Sequence, residues 1–337
     1  MQKREYWIDE LKAFAMLCVV FEHSLMRTIA GLDLTDYRYI IADNFFKSFY
    51  MPLFFLASGY VYALADRKKT ENTSVKDYSV KKIWNLMLPY IIIAVPVWAG
   101  KFVFSNWVTN KVGLMDLAMM FLNPVAFMWF IYILFYVQIL VFIMDKKLYK
   151  KSFVILLILL TMNLSRIFIN TDIKLLDRIL WYPLYYYMGV IIYEKKNRIC
   201  IKSALITTAG ALLFLFMHLK YIDTVMDNIV FCRMVNIMMS LFFAEWFYIL
   251  RNKVNHNTFF AWIGSITLYI YVLHPIVLDA IRVVLWRTGI KSVAIWIPVL
   301  FIGSSICSIA YYVAAGKWIL LDIPFKPKRI RELFEKR

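Results

Sequence analysis

The chain lacks most of what would let it live in water. Acidic residues number only 22 against 39 basic ones, while hydrophobic types make up 62% of 337 residues. That share lies well above the soluble-domain norm, which excludes an ordinary water-soluble fold. The four cysteines, Cys18, Cys200, Cys232 and Cys307, are scattered without paired spacing, so neither a disulfide framework nor a zinc site is indicated. They read as packing residues, and no metal is expected. No small-residue cleavage site follows the first apolar run, which reads as a retained helix rather than a removed signal peptide. Internal repeats, low-complexity tracts and a soluble appendage are absent too. The missing GxSxG elbow argues against a serine nucleophile.

What fills the chain instead is a succession of apolar runs, each of roughly twenty residues and able to cross about 30 Å of hydrocarbon. Ten spans are predicted, near residues 11–31, 44–65, 83–104, 126–144, 153–170, 179–193, 203–221, 229–250, 260–284 and 293–320. The fold class is therefore all-α: one polytopic membrane domain over residues 1–337, with helices from about 11 to 320 and a basic tail at 322–337. Placing the N-terminus in the cytoplasm puts about 24 Lys and Arg on one side of the membrane and about six on the other. This alternation predicts a multi-pass protein of the cell membrane with both termini cytoplasmic. It also turns the net charge of +17 into a matter of topology and anionic lipid, leaving no call for nucleic acid.

Ionisable residues inside such spans are costly and by default face the bundle interior with a partner or a cavity. The stretch IDELKAFAMLCVVFEHS, Ile8 to Ser24, carries three of them: Lys12, Glu22 and His23. Lys12 and His23 stand about three helical turns apart on nearly one stripe, with about 16 Å between them. That is comparable with the reach of a pantetheine arm. His23 lies about 18 Å into the first span, and His274 about 21 Å into the ninth, so both fall near the bilayer midplane. An imidazole titrates close to neutrality and is the natural group to take a proton from a hydroxyl. For both histidines a plain interhelical hydrogen bond is the competing reading. After His274 comes Pro275, which leaves a carbonyl to be satisfied. Glu22 projects about 100° away from His23 around the helix; it either orients the imidazole or pairs with Arg27, Lys101 or a residue elsewhere in the bundle. A boundary lysine meeting lipid phosphates would look the same as Lys12.

Further stretches carry a resemblance. MPLFFLASGYVY from Met51, the basic VKKIWNLMLPY, MWFIYILFY, WYPLYYYMGVIIYE and IGSITLYIYVLHPIV follow the opening stretch in order. Together they resemble the membrane acyltransferase 3 family, and within it the fucose 4-O-acetylase type of polysaccharide and oligosaccharide O-acetyltransferases. The resemblance runs from about residue 4 to 320. It implies a first-helix pair of a basic residue and a catalytic histidine, here Lys12 and His23. Lysine keeps the charge of the family's usual arginine but not its planar fork. A basic motif before the third helix, normally two arginines, appears as Lys81 and Lys82, with Asn85 where the second arginine is expected. Tyr50 replaces a histidine found in relatives before MPLFF, so no second catalytic histidine is expected there. Ser58, of the family's SG pair, is read first as helix packing and then as a wall of the acyl tunnel. Trp129 matches an aromatic that could stack on a sugar, although interfacial tryptophans are common.

These readings converge on a membrane O-acyltransferase that takes acetyl, or another acyl group, from acyl-CoA. The acceptor would be a hydroxyl of a cell-envelope glycan or lipid-linked saccharide. His23 is the expected base, Glu22 its companion, Lys12, Lys81 and Lys82 the coenzyme-binding cations, and His274, Trp129 and Ser58 the substrate contacts. The bilayer is the first partner, and nothing excludes a homo-oligomer. A transporter or flippase for lipid-linked sugar is the rival, favoured by inverted repeats and paired broken helices that the sequence does not display. A non-catalytic partner in polysaccharide export is a third reading.

Overall fold

A computed structural model of the chain describes residues 5–103, 112–148, 151–166, 168–169, 171–220, 229–251 and 258–329. Residues 330–337 of the expected basic tail, and residues 105–111 of the expected long connection, lie outside the described residues. Among the described residues every regular element is helical. In chain order they are α1 (Tyr6–Leu32), α2 (Tyr37–Lys47), α3 (Tyr50–Ala65), α4 (Val75–Lys82), a π turn (Ile83–Met87) and α5 (Leu88–Val103). Then come α6 (Leu114–Ala118), α7 (Trp129–Lys147), α8 (Ser152–Ser165), α9 (Lys174–Trp181), α10 (Pro183–Lys195) and α11 (Ile201–Lys220). The last are α12 (Ile229–Leu250), α13 (Thr258–Ser265), α14 (Thr267–Arg287), α15 (Val293–Lys317) and α16 (Ile319–Asp322).

Eight helices among the described residues are long and apolar enough to cross a membrane, two of them composite: Tyr37–Ala65 joins α2 to α3, and Val75–Val103 joins α4 to α5. The protein is thus an all-helical, polytopic membrane protein. Two of the ten expected spans are shorter than a crossing helix. The fifth is α8, whose 14 residues reach about 21 Å. The sixth is broken at Tyr182 into α9 and α10, because Pro183 has no N–H to continue the ladder and instead opens the next helix. Asn163 covers the break by donating to the Trp181 carbonyl at 2.8 Å. In the second span Pro52 similarly frees the carbonyl of Ser48. Asn236, its amide nitrogen turned toward that carbonyl, bonds it at 3.0 Å, as backbone at membrane depth requires.

The chain forms two compact units, each discontinuous in sequence. The first comprises Met1–Ala65 and Met188–Tyr312, with α1 at its centre against α13, α14, α3, α2 and α12. Lipid tails give helices no hydrophobic reason to associate, so close backbone approach and dispersion must hold them. Gly264 of α13 supplies the approach: a Cβ there would overlap the carbonyl of Asp9. Trp7 closes the same end, edge-on to Tyr60 at 4.8 Å and to Tyr248 at 5.4 Å.

The second unit comprises Asp66–Tyr187 and Val313–Arg337. Its α7 packs against α4, the π turn and α9. Asp145 of α7 is fully buried and meets Arg67 at 3.1 Å, while the same guanidinium reaches Ser152 at 3.1 Å and Tyr187 at 3.2 Å. Lys146 pins the preceding loop by donating to the carbonyls of Thr70, Glu71 and Thr73.

Candidate active site

In the first unit α1 and α14 run parallel, and two contacts one turn apart tie them. His23 meets His274, and Arg27 meets Asp279 at 2.7 Å. The histidine contact has a defined hydrogen order. His274 Nδ1 lies 2.7 Å from the carbonyl oxygen of Ile270. A carbonyl can only accept, so Nδ1 carries the proton and the Nε2 of neutral His274 is an acceptor. That acceptor lies 2.9 Å from His23 Nδ1, which must therefore donate. The chain from Ile270 to His274 to His23 fixes the tautomer of both rings and leaves Nε2 of His23 with its lone pair.

Burial separates the roles of the two rings. His274 is fully buried with both nitrogens engaged, whereas the His23 side chain is 30% exposed. Of the two rings only His23 is partly exposed, so it is the ring that a substrate can touch. His274, expected from sequence at the substrate, lies behind it instead. It bonds the carbonyl of Ile270, its own helical neighbour, one residue before the Tyr271 carbonyl that Pro275 cannot bond.

Glu22 is nearer to His23 than its helical projection implied. Its Oε2 is 3.4 Å from His23 Nε2, longer than a good N–H···O bond. The carboxyl is therefore placed to meet an imidazolium without occupying the lone pair beforehand. Tyr50 donates to the same Oε2 at 3.4 Å, and Lys47 stands 3.8 Å from Oε1 while holding Asp43 at 2.6 Å. Glu22 thus has Tyr50 and Lys47 as partners, while Arg27 is taken by Asp279. Tyr50, the residue that departs from the family pattern, reaches the site through its hydroxyl. Sequence reasoning passed over Lys47 and Asp43, although a lysine four residues into the expected second span was a signal of the kind that marked His23.

Toward the start of α1, Lys12 is ion-paired with Asp9 at 2.6 Å. A cavity of about 710 Å³ opens at that end, lined by Lys196, Lys202, Arg251 and Tyr248 among others. Lys196 reaches Glu5 at 3.1 Å. Burial pushes the Glu5 carboxyl up, but hydrogen bonds from Tyr60, Trp7 and Lys196 outweigh it and hold the group below the usual carboxylate range. The cluster escaped the sequence reading because Lys196 and Lys202 share one connection and Arg251 follows a helix some fifty residues later, so only the fold brings the three together. Ser58 turns its hydroxyl onto its own helix, donating to the Phe54 carbonyl at 2.8 Å.

The remaining expected residues belong to the second unit. Lys81 and Lys82 converge on Asp66, at 2.9 and 3.5 Å, and Lys82 also lies over the Tyr78 ring at 4.8 Å. Burial raises the Asp66 carboxyl, yet the Lys81 hydrogen bond and the charges of both lysines hold it below its ordinary value. Asn85 falls in the π turn that follows them. Trp129 has the Arg178 guanidinium 3.9 Å from its ring centroid, so one face is covered by a cation.

An imidazole of fixed tautomer, backed by a second, buried imidazole and flanked by a carboxyl, could move a proton in acyl transfer. A family model described as an acyltransferase domain, acyltransferase 3, matches residues 5–313. No curated protein and no solved structure matches the chain. The matched stretch takes in every residue of the His23 site and runs over nine-tenths of the sequence or thereabouts, and the chain belongs to the acyltransferase 3 family.

Proposed function

We propose that this membrane acyltransferase moves an acetyl group from acetyl-CoA to a hydroxyl of a cell-envelope glycan or its lipid-linked precursor. The finer likeness to the fucose 4-O-acetylase type supports that acceptor class. The observation that carries the mechanism is the hydrogen-bond chain that ends on the partly exposed His23 and leaves its Nε2 lone pair unused. In this reading His23 takes the proton of the acceptor hydroxyl as its oxygen attacks the thioester carbonyl. Glu22 steadies the imidazolium across the 3.4 Å gap. The new C–O bond forms, the C–S bond breaks, and the departing thiolate takes the proton back from His23. Atoms and charge balance without a further reactant.

The donor enters from the Lys12 end. Lys12 lies about 16 Å short of His23 along α1, and the Glu5–Lys196 pair about 11 Å beyond that. Phosphates of the coenzyme held by Lys12, Lys196, Lys202 and Arg251 would send the thioester along α1 to His23. This donor site rests on the first unit alone and does not require Lys81 or Lys82. His274 becomes the residue that positions His23, in place of a substrate contact. The preference of Lys and Arg for one set of loops supports cytoplasmic termini, with coenzyme arriving from the cytosol. Purified protein incubated with radiolabelled acetyl-CoA and envelope glycan should yield labelled glycan. Unlabelled glycan carried across a vesicle membrane would instead identify a transporter.

A further inference from the structure

Beyond the two histidines, α1 and α14 enclose a second cavity, of about 260 Å³, lined by Ala30, Gly31, Asp33, Arg282, Val283 and Trp286. It lies on the side away from Lys12. Gly31 is eight residues past His23 and Arg282 eight past His274, about 12 Å along each helix. Gly31 lets the wall approach closely, because a Cβ there would overlap the indole of Trp296. Trp296 is itself fixed by donating to the Ile290 carbonyl at 2.7 Å.

Three side chains give the cavity its chemistry. Trp286 is 69% exposed, a large flat ring with little protein against it. Arg282 has a buried Nε with no hydrogen-bond partner among the described residues; its nearest carboxylate, that of Asp279, is 3.9 Å away and already bonded to Arg27 at 2.7 Å. An unsatisfied buried donor is costly, and a bound acceptor would relieve it. Asp33 caps α1 in the left-handed region, φ 51°, and is an exposed residue of the cavity wall. Asp33 and Arg282 nearly cancel in charge, with Arg27 and Asp279 cancelling beside them. Two carboxylates balanced by two guanidinium groups give an anion no net attraction here. A neutral polyhydroxy ligand would be satisfied, since its hydroxyls donate to Asp33 and accept from Arg282 while a ring face lies on Trp286.

We infer that this cavity is a saccharide subsite, in which Trp286 stacks on a sugar ring of the acceptor and Asp33 with Arg282 hydrogen-bonds its hydroxyls. The inference rests on the acyl-transfer reading and deepens it. It supplies an acceptor contact on the helices that carry the base, whereas Trp129 has a face covered by Arg178 and belongs to the other unit. An interfacial tryptophan would explain the exposed ring alone; it would not explain a cavity holding a matched acid and a guanidinium whose Nε has no hydrogen bond among the described residues.

The test uses the full chain in nanodiscs, with Trp286→Ala, Trp286→Tyr and Arg282→Ala variants shown to melt like the parent. Oligosaccharides released from envelope glycan by mild hydrolysis serve as the probe, with binding followed by saturation-transfer NMR and transfer by labelled acetyl-CoA. The expected result is an acceptor Kd and KM raised about tenfold in Trp286→Ala and Arg282→Ala, with Trp286→Tyr close to the parent. The KM for acetyl-CoA should not change in any of them. Equal saccharide binding in the parent and both alanine variants would overturn the subsite even if transfer proceeds. Saccharide binding that depends on Trp286 in a protein that transfers nothing would leave the subsite standing and remove the acyl-transfer reading.

Discussion

Replacing His274 with alanine removes the acceptor that holds His23 Nδ1–H at 2.9 Å. The base itself stays. What is lost is the preference for the tautomer that aims a lone pair at the substrate, and the hydrogen bond behind that preference is worth about 0.5–1.5 kcal/mol. At about 1.4 kcal/mol per factor of ten, turnover should fall up to about tenfold. Both KM values should stay near those of the parent, because His274 is fully buried and touches neither substrate. Replacing His23 itself removes general-base catalysis, a loss of about 100- to 10,000-fold. The decisive comparison is the double variant, assayed for labelled acetyl transfer in reconstituted vesicles. If His274 acts only through His23, His23→Ala with His274→Ala is no slower than His23→Ala alone. Losses that multiply would refute the positioning role and return His274 to an independent place at the substrate.

Gly264→Ala should destabilise the first unit by about 1–3 kcal/mol through overlap with the Asp9 backbone, while Gly316→Ala, with open space around it, should be neutral or slightly stabilising. Thermal unfolding in detergent compares them, and equal melting would refute the close α1–α13 approach. Asp145→Ala strands the Arg67 guanidinium and should lower stability by about 3–5 kcal/mol, read by the same melts; a loss under about 1 kcal/mol would mean that the pair is solvated. Asp66 has a depressed pKa, so its stabilising share is complete above the ordinary carboxylate value of about 3.9 and is lost as pH falls through the lower folded value. Asp66→Asn should therefore melt lower than the parent at neutral pH, and the gap should close in acid. A gap that widens in acid would reverse the sign of that argument.

Much of this was legible in the sequence, and the reason is that the bilayer restricts what a chain can do. Apolar runs had to be helices, and charges inside them had to face partners, which is how His23, Glu22 and His274 came forward before any coordinates. The pairing of the two histidines was not legible. They are 251 residues apart, and no local pattern states that α1 and α14 touch. The partner of Lys81 and Lys82 was not legible for the converse reason: a basic pair looks alike in sequence whether it binds phosphate or meets an aspartate such as Asp66. The breaks at Tyr182 and before Tyr50 follow from Pro183 and Pro52. Asn163 repairs the first from the preceding helix and Asn236 the second from a helix far along the chain, and both bonds became visible only in the fold.

The most direct measurement is acetyl transfer by His23→Ala in vesicles, alongside a parent protein of equal yield and equal melting temperature. The account requires the variant to hold coenzyme and glycan as the parent does and to make no more than about a hundredth of the labelled product. Product formed at the parental rate would show that the proton leaves the acceptor by another route, and the His23 mechanism would be wrong.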